Sequence, residues 1–373
     1  MPLRALYAQR IGASSVEIGF MASAALLTGF LAAPGIGWLG DRFGQRTVLW
    51  LGVLTHALLV LAYIPISDPI LLIGLRGLEG IAIMAVVPPA RALMNALAPA
   101  SRQGEALGLL SSSQMVGILM GPAVGTLLAS QVGYTQAFAV AAIPLFLGAV
   151  AARIFLPARE AHAVGTGAAA PVLFGALFTA PLVLVYLLSA VLGVTSGVIQ
   201  AIWSIYMLAH GASLPAIGLS YTAYAIPTGL LTPLAGRLSD RRGRYRPVVA
   251  SLVLYAAIYV VFGLPFVSPL WLILLSAIEG FAAAVANSAL SGLLADVMPA
   301  GARGKVQANF SAASTAGSFA GATAAGFLYA IAPGAPFIIA GGLFLVVAVA
   351  LIQPPLARQF PASAATPTIA PRI

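Results

Sequence analysis

The sequence predicts an all-α membrane protein built from two related halves, and three observations lead to this prediction. Hydrophobic residues make up 61% of the 373 residues and charged residues only 7%, whereas soluble domains carry about 25% charged residues. Apolar stretches of about 20 residues, each long enough to cross a bilayer as a helix, recur along the chain. One motif over residues 37–44 (GWLGDRFG) returns about 200 residues later at 236–243 (GRLSDRRG).

Eleven membrane-spanning helices follow from the positions of the apolar stretches. The stretches lack the alternating pattern of an outer-membrane β-barrel, and Gly and Ala are abundant, as expected where helices pack closely in lipid. The predicted helices cover residues of about 15–38, 48–66, 70–96, 106–130, 136–156, 173–207, 215–236, 248–266, 270–296, 306–330 and 335–353.

The two halves are recognised by their internal similarity. About one third of the positions from Tyr7 to Leu49 are identical to those from Tyr206 to Val248, and self-similarity at a fixed spacing indicates a repeated unit. The predicted divisions are an N-terminal transmembrane half over residues 1–156, a cytoplasmic linker over 157–172, a C-terminal transmembrane half over 173–353 and a cytoplasmic tail over 354–373.

The repeats differ at their starts. A full helix precedes Tyr206 in the second repeat, whereas only six residues precede Tyr7 in the first. We therefore expect the complete protein to have twelve helices in two pseudo-symmetric six-helix halves. On this view the first helix is missing here through truncation or a mis-assigned start.

The placement of the basic residues predicts the orientation in the membrane. All but three of the 18 basic residues lie in loops that we place on one side. Arg4 and Arg10 fall on the other side, and Arg76 lies inside a span. Since cytoplasmic loops carry an excess of Lys and Arg, we expect the motif loops to be cytoplasmic and the protein to lie in the inner or plasma membrane. The same placement argues against nucleic acid as a partner.

The chain offers no signature of cofactor or metal chemistry. It has no cysteine, its three histidines lack the spacing of metal ligands, and it has no phosphate-binding loop or catalytic triad. We therefore expect no cofactor, no metal and no enzymatic activity. The expected partners are a small-molecule substrate, protons and the lipid bilayer, and the expected state is a monomer.

The doubled motif resembles the signature loop of the major facilitator superfamily (MFS) of transporters. In that family the loop joins the second and third helices, and a copy joins the eighth and ninth, which correspond to residues 37–46 and 236–246 here. Residues 76–80 (RGLEG) resemble the fourth-helix motif. Gly117-x-x-x-Gly121-Pro122-x-x-Gly125 resembles the fifth-helix motif of the proton-coupled drug antiporters.

The resemblance implies a conformational latch at each motif loop. A carboxylate at a helix junction can accept hydrogen bonds from backbone N–H groups of a helix N-terminus, and an adjacent arginine can hold it by a charge-assisted bond. Such a latch would favour the outward-open state and break on inward opening. The alternative is that these charges only fix the topology. The latch residues are Gly37, Asp41, Arg42, Gly44, Arg46, Gly236, Asp240, Arg241, Gly243, Arg244 and Asp296.

The two latches differ in their charges. In family members the loop Asp is joined by an Arg four residues later and by an Asp at the end of a further helix. The second half keeps all three as Asp240, Arg244 and Asp296, whereas the first half has Gln45 and Ala96 at the matching positions. We therefore expect the better latch in the C-terminal half.

Three ionisable residues are predicted inside the membrane, where they are costly and therefore functional candidates. Arg76 and Glu79 are three apart on one helix, close enough to pair, and Glu279 is the repeat equivalent of Glu79. Ser276 stands where Arg76 would be, so Glu279 lacks an intrahelical partner and suits reversible protonation. We predict Glu279 or Glu79 as the proton carrier. The alternative is a structural Arg76–Glu79 pair with Glu279 near the interface or hydrogen-bonded across helices.

Further polar and glycine residues complete the predicted pathway. The resemblance implies a helix bend at Gly117, Gly121, Pro122 and Gly125, whereas ordinary tight packing of a glycine strip is the alternative. The predicted cavity residues are Gln114, Gln200, Trp203, Tyr221, Tyr224, Asn287 and Asn309. For Trp203 a place in an interfacial aromatic belt is an equally possible alternative. For the others the alternative is a hydrogen bond between packed helices.

Together these features predict a secondary active transporter that works by alternating access around a midplane site. The resemblance implies proton-coupled antiport that exports small lipophilic or cationic compounds. Proton-coupled uptake of a small metabolite such as a sugar or organic acid is one alternative. A non-transporting membrane sensor is another.

Overall fold

A computed structural model of the chain describes residues 2–157, 174–299 and 301–353. Within these ranges the chain is helical and has no β-strand, so the all-α prediction is confirmed. Apart from residue 157, the predicted linker lies outside the described residues, as does the tail over 354–373. The α-helices are α1 (Pro2–Arg10), α2 (Ser15–Phe43), α3 (Gln45–Ala62), α4 (Pro69–Met84), α5 (Val87–Leu97), α6 (Gln103–Val132), α7 (Tyr134–Phe155), α8 (Ala180–Ala209), α9 (Leu214–Arg242), α10 (Tyr245–Phe262), α11 (Pro269–Val297), α12 (Arg303–Ile331) and α13 (Ala335–Ile352).

The helix bounds repeat between the two halves of the chain. Helices α2 and α9 both have 29 residues, and α3 and α10 both have 18. Helices α6 and α12 have 30 and 29 residues. Because the repeated sequence folds into repeated elements, a residue in one half has a structural counterpart in the other.

Nine helical segments of the described residues are long and apolar enough to cross a membrane, with α4 and α5 forming one of them. Helices α9 and α12 fall outside this set, although each is 29 residues long. Helix α9 ends in a charged motif, and α12 is rich in Ala, Gly, Ser and Thr. Both pack against helices of both halves, α9 on α11 and α6, and α12 on α8 and α2. Small and polar residues suit such positions because they face helices rather than lipid.

The predicted helix over residues 70–96 is interrupted, which corrects the sequence-based boundary. Helix α4 ends at Met84 and α5 starts at Val87. Pro88 and Pro89 follow directly, and each lacks the N–H that would continue the helical bonding. The second repeat has Ser288 and Ala289 at these positions, and α11 runs unbroken to Val297.

The motif is almost entirely helical, which corrects the expectation of a loop. Helix α2 continues to Phe43 and α3 begins at Gln45, so Gly44 alone makes the turn. Gly44 and Gly243 both have φ of 87°, a left-handed conformation that glycine adopts without steric cost. The two motif glycines therefore reverse the chain within very few residues.

Glycine contacts hold α8 and α12 at close range. A Cβ on Gly317 or Gly321 would overlap the backbone of Ala190 or Val194, respectively. A Cβ on either first-half counterpart, Gly117 or Gly121, would have nothing within 4 Å. The tight-packing alternative for the fifth-helix motif therefore does not describe these two glycines in this structure.

The two halves are joined in the part of the bundle that is remote from the motif turns. The Ser15 hydroxyl on α2 donates to the Gly326 carbonyl on α12 at 3.0 Å, and the Thr222 hydroxyl on α9 donates to the Leu119 carbonyl on α6 at 2.9 Å. Gly19 also lies against Ala322 and Gly326. Ser15 and Thr222 lie in the first third of their helices, remote from the motif turns at Gly44 and Gly243.

We expect Gly317→Ala to destabilise the protein and Gly117→Ala to leave it unchanged or slightly more stable. The added methyl at 317 meets the Ala190 carbonyl, and overpacking of this kind costs about 1–3 kcal/mol. At 117 the space is open, and alanine in a helix is favoured over glycine by roughly 0.5–1 kcal/mol. Thermal unfolding of both variants in lipid nanodiscs checks this. Equal melting temperatures for the pair would contradict the packing described.

Candidate functional site

Two carboxylates occupy equivalent positions in the two halves. Glu79 lies ten residues into α4 and Glu279 ten residues into α11, about 15 Å along each helix. This depth is about half of a hydrocarbon core of roughly 30 Å. The two residues are 0% and 5% exposed. Both carboxylates therefore lie deep within the bundle, near its midplane.

Glu79 is held by two arginines, from α1 and α4, and by a tyrosine that directly follows α3. Arg4 on α1 donates to Oε1 from Nη2 at 2.6 Å and from Nε at 3.2 Å. Arg76 on α4 donates from Nη1 to Oε2 at 2.8 Å, and the Tyr63 hydroxyl donates to the same oxygen at 2.9 Å. The Nε2 atom of His56 is 3.6 Å from Oε1. The predicted Arg76–Glu79 pair thus exists within a larger cluster.

The cluster strongly favours an ionised Glu79. Charge-assisted bonds to guanidinium groups are among the stronger hydrogen bonds in proteins. Removing one partner of a buried ion pair typically costs about 3–5 kcal/mol because the other charge is left uncompensated. Neutralising Glu79 would leave both Arg4 and Arg76 without their counter-ion. Glu79 is therefore poorly suited to taking up a proton.

Glu279 has an entirely different environment. Its Oε1 atom accepts a hydrogen bond of 2.8 Å from the Tyr259 hydroxyl on α10, and the side chains of Tyr224 and Tyr255 lie close by. Within the described residues no ion pair involves Glu279. The absence of an intrahelical cation agrees with the prediction made from Ser276. The bond from Tyr259 corresponds to the alternative in which Glu279 is hydrogen-bonded across helices, although the sequence did not identify the partner.

The repeat explains why the two carboxylates differ. The positions of Arg4, His56 and Arg76 correspond to Trp203, Ala256 and Ser276 in the second half. Each cationic or titratable neighbour of Glu79 is thus replaced by an uncharged residue around Glu279. The two sites share a backbone frame, but cations surround Glu79 and uncharged side chains surround Glu279.

A small pocket adjoins the Glu79 cluster. It is partly open, has room for about one water molecule, and lies between α1, α2 and α4 of the first half and α8 of the second. Its polar wall combines two guanidinium groups with the Gln200 amide, and the rest is apolar. The lining residues are Arg4, Ala5, Met21, Ala22, Arg76 and Gln200.

Two predicted cavity residues belong to the packed interior of the second half. Trp203 is 2% exposed and its Nε1 donates to the Ser220 hydroxyl at 2.8 Å. Its ring packs against Phe262 with centroids 4.7 Å apart, so neither a cavity wall nor an interfacial belt describes it. The Tyr221 hydroxyl lies 3.0 Å from that of Ser204, which corresponds to the helix-packing alternative.

The remaining predicted cavity residues are scattered. Gln200 lines the pocket and donates to the Ser196 hydroxyl at 3.1 Å. Gln114 and Asn309 are half-buried and Asn287 is exposed, and none of the three has a hydrogen bond from its side chain among the described residues. Only Gln200 of this group therefore reaches the pocket.

The second half contains a complete charge relay at its motif turn. Arg244, at the start of α10, bonds Asp240 at the end of α9 at 2.9 Å and Asp296 at the end of α11 at 2.7 Å. The sequence predicted these three partners. Arg244 therefore ties together the ends of three helices. Gly236 and Arg241 lie on the last turns of α9 beside this relay.

The first half has no such relay within the described residues. Asp41 is exposed in the last turn of α2 and does not cap α3, which corrects the predicted hydrogen bonds to a helix N-terminus. Arg42 does not hold Asp41 but stacks on Trp38, 5.2 Å from the ring centroid. Arg46 instead donates to the Arg153 carbonyl on α7. Gly37 is exposed, with open space around it.

The fifth-helix motif lies at the contact between the halves. Helix α6 continues through Pro122. A Cβ on Gly218 of α9 would lie 2.9 Å from the Pro122 carbonyl, so the two helices approach closely here. Gly125 faces the Leu3 side chain of α1.

Sequence reasoning missed Arg4, Tyr63 and Tyr259 as site residues. It placed Arg4 in a loop on the outer side, whereas α1 carries it into the Glu79 cluster. A signal was available in part, since His56 and Tyr63 are seven residues apart and therefore share one helix face. Which helix that face would meet could not be seen without the fold.

Comparisons with known proteins agree with this architecture. The model of a family described as the Major Facilitator Superfamily matches residues 1–207 and 185–370. The chain is 28% identical over 322 residues to a multi-drug resistance efflux pump PmrA homolog of Lactococcus lactis subsp. lactis (strain IL1403), covering 80% of this chain and 76% of the relative. It is 28% identical over 287 residues to the multidrug resistance protein MdtG of Proteus mirabilis (strain HI4320), covering 73% and 69%.

Solved structures share the fold at low sequence identity. The nucleoside transporter NupG superposes with a TM-score of 0.73 at 15% identity, over 93% of each chain. A POT family transporter in complex with 5-aminolevulinic acid superposes with a TM-score of 0.75 at 13% identity, covering 94% of this chain and 91% of that chain. At these identities the likeness concerns the fold alone.

We expect Asp296→Asn to impair conformational cycling more than folding. Asp296 is half exposed in its bond to Arg244, and exposed ion pairs contribute only about 0–1 kcal/mol to stability. The relay nonetheless connects three helix ends that must move together. Substrate uptake into vesicles should fall while the melting temperature changes little. Asp41→Asn serves as the control, because Asp41 has no ion pair within the described part of the chain. An equal loss of transport in both variants would contradict the assignment.

Proposed function

The chain belongs to the major facilitator superfamily, and from this premise we propose that it exports small lipophilic compounds by proton-coupled antiport. Its relatives include proteins named as multidrug efflux pumps, and its fold is that of a multi-pass secondary transporter. In this proposal it acts as a monomeric transporter rather than as an enzyme, with a small-molecule substrate and protons as partners and without nucleic acid.

The observation that carries the proposal is the contrast between the two midplane carboxylates. Glu79 is neutralised by Arg4 and Arg76, whereas Glu279 has one neutral hydrogen-bond donor, Tyr259. Burying a charge without a partner is costly, so Glu279 gains more from taking up a proton than Glu79 does. Of the two proton carriers that the sequence left open, we therefore propose Glu279.

Tyrosine hydroxyls surround the carboxyl group of Glu279, where we propose that the proton binds. Tyr259 donates to the carboxylate, and Tyr224 and Tyr255 interact with each other beside it. A hydroxyl can donate to an ionised carboxylate and accept from a protonated one. The cluster is therefore compatible with both protonation states of Glu279.

Alternating access is supported by the way in which the two halves meet. Hydrogen bonds between the halves lie away from the motif turns, at Ser15–Gly326 and Thr222–Leu119. We propose that residues 1–156 and 173–353 rock as two bodies about the pocket, joined by the linker over 157–172. With the motif turns on the cytoplasmic side, as the basic residues indicate, this arrangement is closed towards the outside. The Arg244 relay is intact in it, so on this proposal the relay does not break on inward opening as the latch hypothesis expected.

Apolar side chains border the pocket where the lipophilic part of the proposed substrate would lie. Ala5, Met21 and Ala22 form its apolar wall, and methionine adapts its shape to different ligands. The pocket takes residues from both halves, so a bound compound would contact both moving bodies. This is the arrangement that alternating access requires.

We expect Glu279→Gln to abolish substrate-driven proton movement, because an amide cannot take up the exchanged proton. Vesicles containing the wild type should release protons when a lipophilic probe is added, and the variant should match protein-free vesicles. The probes are a naphthalene sulfonate, its sulfonamide and a trimethylammonium analogue. Glu105→Gln, an exposed residue of α6, is the matched control and should behave as wild type.

The same assay with Glu79→Gln distinguishes the two carboxylates. In our assignment a folded Glu79→Gln protein retains proton movement, because the proton is exchanged at Glu279. Loss of proton movement in Glu79→Gln with retention in Glu279→Gln would overturn that assignment. Absence of proton movement for every probe in a folded wild type would overturn proton-coupled antiport itself.

We expect a cross-link between α2 and α12 near the Ser15 contact to stop transport. The rings of Phe20 and Phe327 lie with centroids 5.7 Å apart, and the chain has no cysteine. In the Phe20→Cys, Phe327→Cys double variant, a reversible thiol cross-linker should block substrate uptake, and reductant should restore it. Each single variant should be unaffected. Undiminished uptake by fully cross-linked protein would contradict the proposed opening at this end.

A further inference from the structure

The pocket beside Glu79 carries an excess of positive charge. Two guanidinium groups, from Arg4 and Arg76, share one carboxylate. Arg4 is 17% exposed at its side chain and Arg76 is 7% exposed, so both lie largely within the protein. Buried charges in proteins are normally paired, and here the balance is one anion short.

The two arginines also have donors to spare. Arg4 uses Nε and Nη2, and Arg76 uses Nη1, to bond Glu79. Each guanidinium group has five N–H donors in a planar fork that suits carboxylates and other oxyanions. Arg4 Nη1 and Arg76 Nη2 are not used in these bonds to Glu79, and both side chains line the pocket.

We propose that this pocket binds the anionic group of a lipophilic acid, so that the exported compounds are lipophilic anions. The inference rests on the proposed export function and names its substrate class. The oxyanion accepts hydrogen bonds from Arg4 and Arg76 while Glu79 keeps the two guanidinium groups in position. Ala5, Met21 and Ala22 contact the apolar part of the compound, and Gln200 offers its amide from the second half.

The same geometry disfavours a lipophilic cation at this pocket. Glu79 is fully engaged by Arg4, Arg76 and Tyr63, so a cation would have to displace one of them. It would also approach two like charges at short range, where repulsion is strong in a low-dielectric interior. Glu279 does not line this pocket and so does not offset that repulsion.

Equilibrium binding of three matched probes tests the proposal. The probes are a naphthalene sulfonate, its sulfonamide and a trimethylammonium analogue, all substituted at the same ring position. Binding is measured to the full chain in nanodiscs without a proton gradient. We expect the sulfonate to bind about tenfold or more tightly than the sulfonamide, the scale expected for one charge-assisted bond. The trimethylammonium compound should bind most weakly.

Two variants should shift the sulfonate affinity in opposite directions. Arg76→Gln leaves Arg4 and Glu79 as a balanced pair and should remove the preference for the sulfonate. Glu79→Gln frees both arginines and should tighten sulfonate binding. Affinity for the sulfonamide should stay the same in both. Arg91→Gln, which removes one positive charge from an exposed site on α5, is the control and should change nothing.

Several outcomes would overturn the proposal. One is an equal affinity of the wild type for the sulfonate and the sulfonamide. Another is tighter binding of the trimethylammonium compound than of the sulfonate. A third is an equal loss of affinity for all three probes in Arg76→Gln. If Arg76→Gln does not fold, Arg4→Gln is used in its place, because it leaves the Arg76–Glu79 pair balanced in the same way. Because no gradient is present, the binding order can hold while proton exchange fails, or the reverse, so the two proposals can fail separately.

Discussion

The buried bonds of Glu79 determine how the first half is assembled around its pocket. The carboxylate joins Arg4 of α1, Tyr63 after α3 and Arg76 of α4. Helix α1 is held in place by this ion pair together with buried side chains such as Leu6. The pocket lies where these long polar side chains meet the small residues of α1 and α2.

The two halves share one helix arrangement but differ in the charges around their carboxylates and motif turns. In the first half the midplane carboxylate is neutralised by cations, and the motif turn lacks a charge relay within the described residues. In the second half Glu279 lacks a cation, and Arg244 forms a complete relay with Asp240 and Asp296. Substitutions at a few equivalent positions, such as Arg4 by Trp203, are enough to produce this division. The proposed anion site and proton site thus lie in opposite halves.

Close helix packing gives each half the rigidity that this division requires. Glycines bring α8 to α12 and α9 to α11 within direct backbone contact in the second half, as at Gly317 and Gly280, and α4 to α2 in the first half, as at Gly80. Lipid provides no hydrophobic drive for association, so such packing has to come from small residues and hydrogen bonds. Hydrogen bonds between the halves are few by comparison and lie away from the motif turns. Relative movement of the halves therefore breaks fewer hydrogen bonds than deformation within either half would.

The all-α class, most helix positions, the repeat and the Arg244 relay could be read from the chain, because hydropathy reports burial in lipid and a duplicated motif reports equivalent positions. The counter-ions of the two carboxylates could not. Arg4 and Glu79 are 75 residues apart. Trp203 proved to be a core residue, although its aromatic ring and polar N–H group also suited a cavity wall. In lipid every face of a spanning helix is apolar, so the periodicity of the sequence does not indicate which faces meet. The partners of Glu79 and Glu279, and hence their roles, therefore depend on tertiary packing.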